Sequence, residues 1–390
     1  MIVFLVGLFI SFIALARLKL VAKLFLIIFV SYYSFGIFAS YLVGMNDDLL
    51  ILYGACFIAL SIGLIIPIKS KAYLKPHIYL KSVQKNSFAN LFLYLSTSLA
   101  VFCYLLVIVI YGVPILNPTA RHEVSAYFTY FIALLWINLP LVYFYFTRKL
   151  LFIYVVLSFF IFLTMGYRTP ILFICIFFIL CNLSWMRLYV TKKKLFLFSL
   201  FMIIITGVFA SVRFEDSTKL DKIMDNLGVP HQLKYIAPIY FVFAEGYIVN
   251  SEILEINKRV GNQLGSFTSS AFLTILPGEQ LHARNKLAFW MGRDNWRTSS
   301  TTPSLIGQLV IEVGQVATVF FIFIIGYFVN SYSKGIKSAS AISRFYPKTA
   351  LLSFLVLGIH TGILDPIVIF MTVNYFFYLC FLTLKRRPRL

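Results

Sequence analysis

Residues 148–194 read RKLLFIYVVLSFFIFLTMGYRTPILFICIFFILCNLSWMRLYVTKKK. Two almost purely apolar runs, 150–165 and 171–185, are joined by the short turn Gly166-Tyr167-Arg168-Thr169-Pro170. Basic residues stand at the far ends of both runs, Arg148 and Lys149 before the first and Arg187 with Lys192, Lys193 and Lys194 after the second. Lysine and arginine accumulate in short cytoplasmic loops, so this hairpin enters and leaves on the cytoplasmic side and turns outside. Its lone turn arginine therefore sits where that rule selects against it.

Working outward, comparable runs of about 17–24 residues recur along the whole chain, a length that crosses a hydrocarbon layer roughly 30 Å thick. The candidate spans are 2–16, 24–44, 49–68, 91–112, 127–147, 150–165, 171–185, 195–212, 305–330, 349–364 and 367–384. With 61% hydrophobic and only 12% charged residues, the chain has too little polar surface to cover a water-soluble core. The reading is an all-α, polytopic membrane helix bundle of about eleven spans. The first run lacks a basic region ahead of it and a small-residue cleavage site behind it, so it reads as an uncleaved span.

Every second loop is basic: Arg17 to Lys23, Lys69 to Lys85, Arg148/Lys149, Arg187 to Lys194, Lys334 to Lys348, and the tail Lys385 to Arg389. These loops hold about 22 of the 34 basic residues and none of the 14 acidic ones. That segregation puts the N-terminus outside and the C-terminus inside. It also accounts for the net charge of +20 without nucleic acid, because the basic residues form short clusters between apolar runs. The cysteines, Cys56, Cys103, Cys175, Cys181 and Cys380, all lie inside apolar runs with no paired spacing, and read as small buried hydrophobes.

The organisation is an N-terminal bundle of eight spans (1–212), a large extracytoplasmic loop (213–303) and a C-terminal bundle of three spans (304–390). A loop of that length carries function more often than not. Within it, residues 235–250 are apolar and aromatic but include Pro238 and Glu245, and a crossing there would break the charge alternation. The segment is expected to lie along the interface or to re-enter.

The chain contains no Gly-x-Gly-x-x-Gly, no phosphate loop and no Asp-x-Asp pair, which argues against a nucleotide-sugar enzyme. It has no His-Glu-x-x-His, and its five histidines are scattered, so neither a metal nor another cofactor is expected. What the outside holds is arginine: Arg121, Arg168, Arg213, Arg259, Arg284, Arg293 and Arg297. Arg168 at a membrane edge is costly unless paired; it either snorkels to headgroups or binds an anionic lipid-linked group. Arg293 and Arg297, four residues apart, would share a face if their stretch is helical. Guanidinium forks match phosphate oxygens, so Arg168, Arg213, Arg284, Arg293 and Arg297 are the candidate diphosphate ligands. Glu279 and His282, in Pro277-Gly278-Glu279-Gln280-Leu281-His282, and Glu312 among apolar residues of the ninth span are the candidate proton acceptors. Each has a structural alternative: a loop histidine for His282, an ion pair within the bundle for Glu312. His360 and Asp365 read as a pair capping the last outer turn.

These residues resemble the bacterial polysaccharide-repeat polymerases of the Wzy type, which share their layout with O-antigen ligases. The resemblance rests on Gly166-Tyr167-Arg168-Thr169 at the end of a span, on the arginine-bearing outer loop late in the chain, and on the run Pro303-Ser304-Leu305-Ile306-Gly307-Gln308 through Glu312-Val313-Gly314. The chain departs from the pattern at Gln308, where many relatives carry Glu, and at Glu312-Val313, where Asn-Phe is common. The resemblance implies a GT-C-like membrane glycosyltransferase that moves a growing chain from undecaprenyl diphosphate onto a lipid-linked repeat. It implies no cofactor, membrane lipid as surroundings, and a chain-length regulator protein as a partner. Ligation to a different acceptor shares the same chemistry. A lipid-linked oligosaccharide flippase would need mid-span charges, which are nearly absent.

Reporter fusions after Ser217 and after Leu390 test the orientation. The first should score outside and the second inside; scoring on the same side would refute the span count.

Overall fold

The computed structural model of the chain describes residues 1–37, 44–67, 87–116, 124–184, 237–273, 282–293, 301–333 and 342–362. Among them every regular element is a helix: α1 (Ile2–Arg17), α2 (Leu20–Ile37), α3 (Asp47–Ile65), α4 (Ser87–Tyr111), α5 (Ala126–Ile137), α6 (Leu139–Tyr145), α7 (Arg148–Thr164), α8 (Arg168–Ser184), α9 (Ala237–Val260), α10 (Ser266–Leu273), α11 (Ala283–Trp290), α12 (Leu305–Ser333) and α13 (Ile342–Thr361). Among the described residues four stretches are long and apolar enough to cross a membrane: Leu20–Ile37, Asp47–Ile65, Asn90–Tyr111 and Leu305–Tyr332. The expected spans at 2–16, 127–147, 150–165, 171–185 and 349–364 correspond to shorter apolar helices, and those at 195–212 and 367–384 lie outside the described residues.

The helices fall into two compact units. The first holds α1, α2, α3, α9 to α12 and the end of α13, and is organised around α3. Asn46 caps α3 by accepting from the Leu49 amide at 3.1 Å, and Asp47 and Asp48 complement the positive end of the helix dipole. On one side α3 meets α1 at Gly54 and Gly7. A Cβ on Gly7 would stand 2.6 Å from the Gly54 carbonyl oxygen, and one on Gly54 would collide with the Val3 carbonyl. On the other side Gly63 and Gly326 bring α3 against α12, where a Cβ on Gly326 would lie 2.6 Å from the Leu60 oxygen. Ser11 and Ser61 hydroxyls meet at 3.1 Å within the α1 seam, and the Asn330 amide donates to the Ile66 carbonyl at 2.7 Å beside the α12 seam. Both are the small-residue, hydrogen-bonded contacts that hold helices together where lipid offers no hydrophobic gain.

Gly314 breaks α12 with φ 79° and ψ 174°, so the single helix expected over 305–330 is two segments meeting at a kink. Only glycine adopts such a φ readily. Residues 235–250, expected to lie along the interface or re-enter, contribute to the 24-residue α9, which packs on α2 and α12.

The second unit holds α4 to α8 and the start of α13. The expected span 127–147 is split here at Asn138 into α5 and α6, because Pro140 has no amide hydrogen and its ring crowds the carbonyl of the preceding turn. Asn138 compensates by donating to Ser96 on α4 at 2.9 Å. Helix α7 ends as a Schellman turn: Gly166 has φ 71°, and the Tyr167 amide reaches back to the Phe162 carbonyl at 2.9 Å. The chain reverses there and Arg168 opens α8.

Substituting Gly63 with Val should force the α3–α12 backbones apart at a cost of about 1–3 kcal/mol. Thermal melting of purified protein should show a clear drop, whereas Val109→Leu on the 81% exposed face of α4 should leave the melting temperature unchanged.

Candidate active site

A buried polar chain fixes the start of α12. The Ser304 hydroxyl accepts from the Gly307 amide at 3.2 Å, capping the helix, and donates to Asn250 Oδ1 at 2.9 Å. Asn250 in turn donates to the Tyr53 hydroxyl at 2.8 Å. The Tyr33 hydroxyl accepts from the Ile306 amide and donates to the Ile359 carbonyl, both at 3.2 Å. One connected network thus ties α2, α3, α9, α12 and α13 together, and Gly307 has no side chain because a Cβ would strike Asn250. This gives the run Pro303-Ser304-Leu305-Ile306-Gly307-Gln308 a physical purpose.

One turn further, Gln308 donates to the Thr268 hydroxyl at 3.0 Å and Glu312 reaches α10. The buried Glu312 carboxylate accepts from the amides of Gly265 and Thr268, both at 2.5 Å, and so caps the N-terminus of α10 from outside the helix. The amides of Gln263 and Leu264 add bonds to the carbonyls of Ile311 and Glu312, both at 2.9 Å. Among the described residues no arginine pairs with Glu312. Its first task is to hold the 261–268 turn against α12 just before the Gly314 kink.

His282 is the N-cap of α11: its Nδ1 accepts from the Arg284 amide at 3.1 Å. Burial, aided by the Arg284 charge, pushes its pKa down to about 4, so the ring is neutral at physiological pH. With Nδ1 accepting, the ring proton belongs on Nε2. Helix α11 ends at Trp290, where Gly292 (φ 69°) and a bond from the Arg293 amide to the Ala288 carbonyl at 3.1 Å form another Schellman turn. Arg293 therefore lies past the helix end rather than on a helical face.

Arg284 and Arg293 converge electrostatically on α9. Dense surrounding protein raises the pKa of Glu245, and the charges of Arg293 and Arg284 pull against that rise. Burial likewise raises Glu252, opposed by Arg293. Glu245 itself is exposed on α9. The ion pairs within 4 Å among the described residues are Lys258 with Asp48 and with Glu255, so neither arginine closes on Glu245. The Arg284 Nε and the Thr301 hydroxyl are buried without a hydrogen-bond partner, and the Thr301 amide donates to the Arg284 carbonyl at 3.4 Å. Next to Glu245, Gly246 leaves room for the Tyr32 hydroxyl, which meets His360 Nδ1 at 3.0 Å. His360, expected to pair with Asp365, thus turns to α2; Asp365 lies outside the described residues.

Of the sequence-predicted residues, His282, Arg284 and Arg293 come together here, while Glu312 lies in the same unit on the α10 cap. Arg168 opens α8 in the other unit, and Arg213, Glu279 and Arg297 fall outside the described residues. Glu245, Glu252 and Tyr32 were not singled out by sequence as site residues. The readable signal was a carboxylate inside an apolar, aromatic segment, which is expensive without a role.

Replacing Glu312 with Gln halves its capacity to accept amide protons and puts a donor against an amide. The cap should weaken by about 1–2 kcal/mol. Proteolysis of the 261–273 segment, followed by mass spectrometry, should accelerate severalfold; an unchanged rate would remove the capping role.

Neither a curated protein nor a solved structure matches the chain. One family model, described as "Putative O-antigen polymerase", matches residues 1–372. With nearly the whole length covered and four helices fit to cross a membrane, the chain is an integral membrane protein that belongs to this O-antigen polymerase family.

Proposed function

We propose that this protein is a metal-independent glycosyltransferase that joins undecaprenyl diphosphate-linked oligosaccharide repeats into O-antigen or a similar surface polysaccharide. The reaction takes place on the outer leaflet of the cytoplasmic membrane, with the 213–303 segment outside and a chain-length regulator protein as a partner. The observation that carries this reading is the pair Arg284 and Arg293, two cations whose charges act on Glu245 of α9 and which make no ion pair within 4 Å among the described residues, one of them with a buried, unpartnered Nε. That arrangement suits a diphosphate: the forks can take its oxygens, and their charge stabilises the leaving group as the glycosidic bond to it breaks. Family membership supports the substrate class. Arg168, Arg213 and Arg297 are proposed as further diphosphate ligands, and Glu279 as a candidate proton acceptor.

Purified protein in lipid nanodiscs should lengthen undecaprenyl diphosphate-linked repeats without nucleotide, and a chelator should leave the rate intact. Arg284→Ala and Arg293→Ala should each lower polymer formation by about 100-fold, the scale of losing one charge-stabilising donor. Arg168→Lys, which keeps charge but loses the fork, should fall sharply, whereas Arg148→Lys should change little. Full polymerisation by the arginine variants at normal protein levels would overturn the assignment.

A further inference from the structure

We infer that the turn after α9 and the start of α10, residues 260–268, are set into the bilayer itself, with Leu264 as the side chain that meets lipid acyl chains. This placement is independent of the diphosphate reading.

Composition is the first sign. Residues 260–278, VGNQLGSFTSSAFLTILPG, carry no charged side chain, although they lie in the long loop between spans and are bounded by Lys258-Arg259 and Glu279. A loop bathed in water has no need to exclude charge over such a length, whereas in hydrocarbon every charge is costly.

The hydrogen bonds are the second. The amides of Gln263 and Leu264 donate to the carbonyls of Ile311 and Glu312, both at 2.9 Å, and the Asn257 side chain donates to the Val310 carbonyl at 3.1 Å. These are three consecutive carbonyls of α12 just before its break at Gly314. The Ser266 amide returns to the Gln263 carbonyl at 2.9 Å, and the Gly265 and Thr268 amides end on the Glu312 carboxylate. Side chains follow the same habit. Ser266 donates to Gln263 Oε1 and Ser269 to the Ser266 carbonyl, both at 3.0 Å, and Ser270 donates to the Phe267 carbonyl at 2.6 Å. Most of 261–266 is exposed, yet these polar groups turn back onto protein. Irregular backbone persists at membrane depth only where protein supplies its bonds in this way; water demands no such closure.

The depth follows from α3. Gly63 meets the α12 backbone at Phe323 and Tyr327, and Asn330 donates to Ile66, so the two helices run side by side in the same direction. Counting back along both at about 1.5 Å per residue sets Gly314 level with Ile51, about 5 Å further along α3 than Asp48. Asp48 pairs with Lys258 at 3.5 Å and marks the charged rim. The other end of this first segment of α12 is tied by Ser304 and Asn250 to Tyr53, at a similar level. The segment between runs along the membrane plane, and the turn bonded to it lies inside the Asp48 rim, beside the apolar run of α3. Leu264 is 80% exposed there and held at φ 46°, a conformation that glycine or asparagine would adopt at less steric cost. Val316, one helical turn beyond the Glu312 carbonyl that Leu264 binds, is 88% exposed and extends the same apolar surface.

Full-length Leu264→Cys and Arg259→Cys proteins, labelled with bimane in nanodiscs, test this, with labelled wild type giving the background from native cysteines. Quenching by doxyl groups on the acyl chains should be about threefold or more stronger at position 264 than at 259, and aqueous iodide should rank the two the other way. Iodide reaching both labels equally would put the turn in water and overturn the inference. So would a label at 264 that neither quencher reaches, because a protein surface would then cover it. Should Leu264→Cys fold poorly, wild-type protein in nanodiscs with diazirine-bearing acyl chains decides. Lipid adducts should map to residues 260–268 by mass spectrometry; adducts on α12 with none on 260–268 overturn it.

Discussion

The first unit depends on how closely α3 can approach its neighbours. In lipid, two apolar helices gain nothing by hiding from their surroundings, so association rests on backbone proximity and polar contacts. Gly7 against Gly54 and Gly63 against Gly326 supply the proximity; Ser11 with Ser61, and Asn330 with the Ile66 carbonyl, supply the polar contacts. With α3 gripped on both sides, its Tyr53 becomes a fixed point. From there the bonds run through Asn250 to Ser304 and so to the start of α12. A seam of four glycines thereby sets the position of the helix that bears Gln308 and Glu312, and the register of the helix that bears Glu245.

Glu312 and Glu245 occupy different settings for a physical reason. Glu312 sits in a spanning helix, where an unpaired charge is expensive, and two backbone amides at the positive end of α10 satisfy it. Such a carboxylate is well placed to hold a turn. Glu245 has a different setting: it is exposed on α9, its surroundings raise its pKa, and the charges of Arg293 and Arg284 oppose that rise.

Much of the fold was legible because the bilayer imposes coarse rules. Apolar runs and alternating basic loops pointed to a helical membrane protein, and the family match agrees with the resemblance carried by Gly166-Tyr167-Arg168-Thr169 and the 303–314 run. What escaped was local. Pro140 divided an apolar run that hydropathy sees as continuous, and Gly314 divided another. Gly292 ended α11 before Arg293, and Arg297 lies outside the described residues. In each case one backbone-specialised residue outweighs a dozen hydrophobic ones, because φ and the amide hydrogen decide helix continuity while hydropathy decides only solvent.

The site was half legible for a related reason. Arginines outside the membrane violate a charge rule and so stand out; Arg284 and Arg293 were visible at once. Glu245 falls, on the sequence reading, where acidic residues are ordinary, and only its apolar, aromatic neighbours mark it. What distinguishes it further is three-dimensional: its place on α9 next to the buried Gly246, under the charges of guanidinium groups two helices distant in sequence. A charge that breaks a one-dimensional rule can be found by reading along the chain. A charge whose partner arrives some forty residues later is found only once the helices are packed.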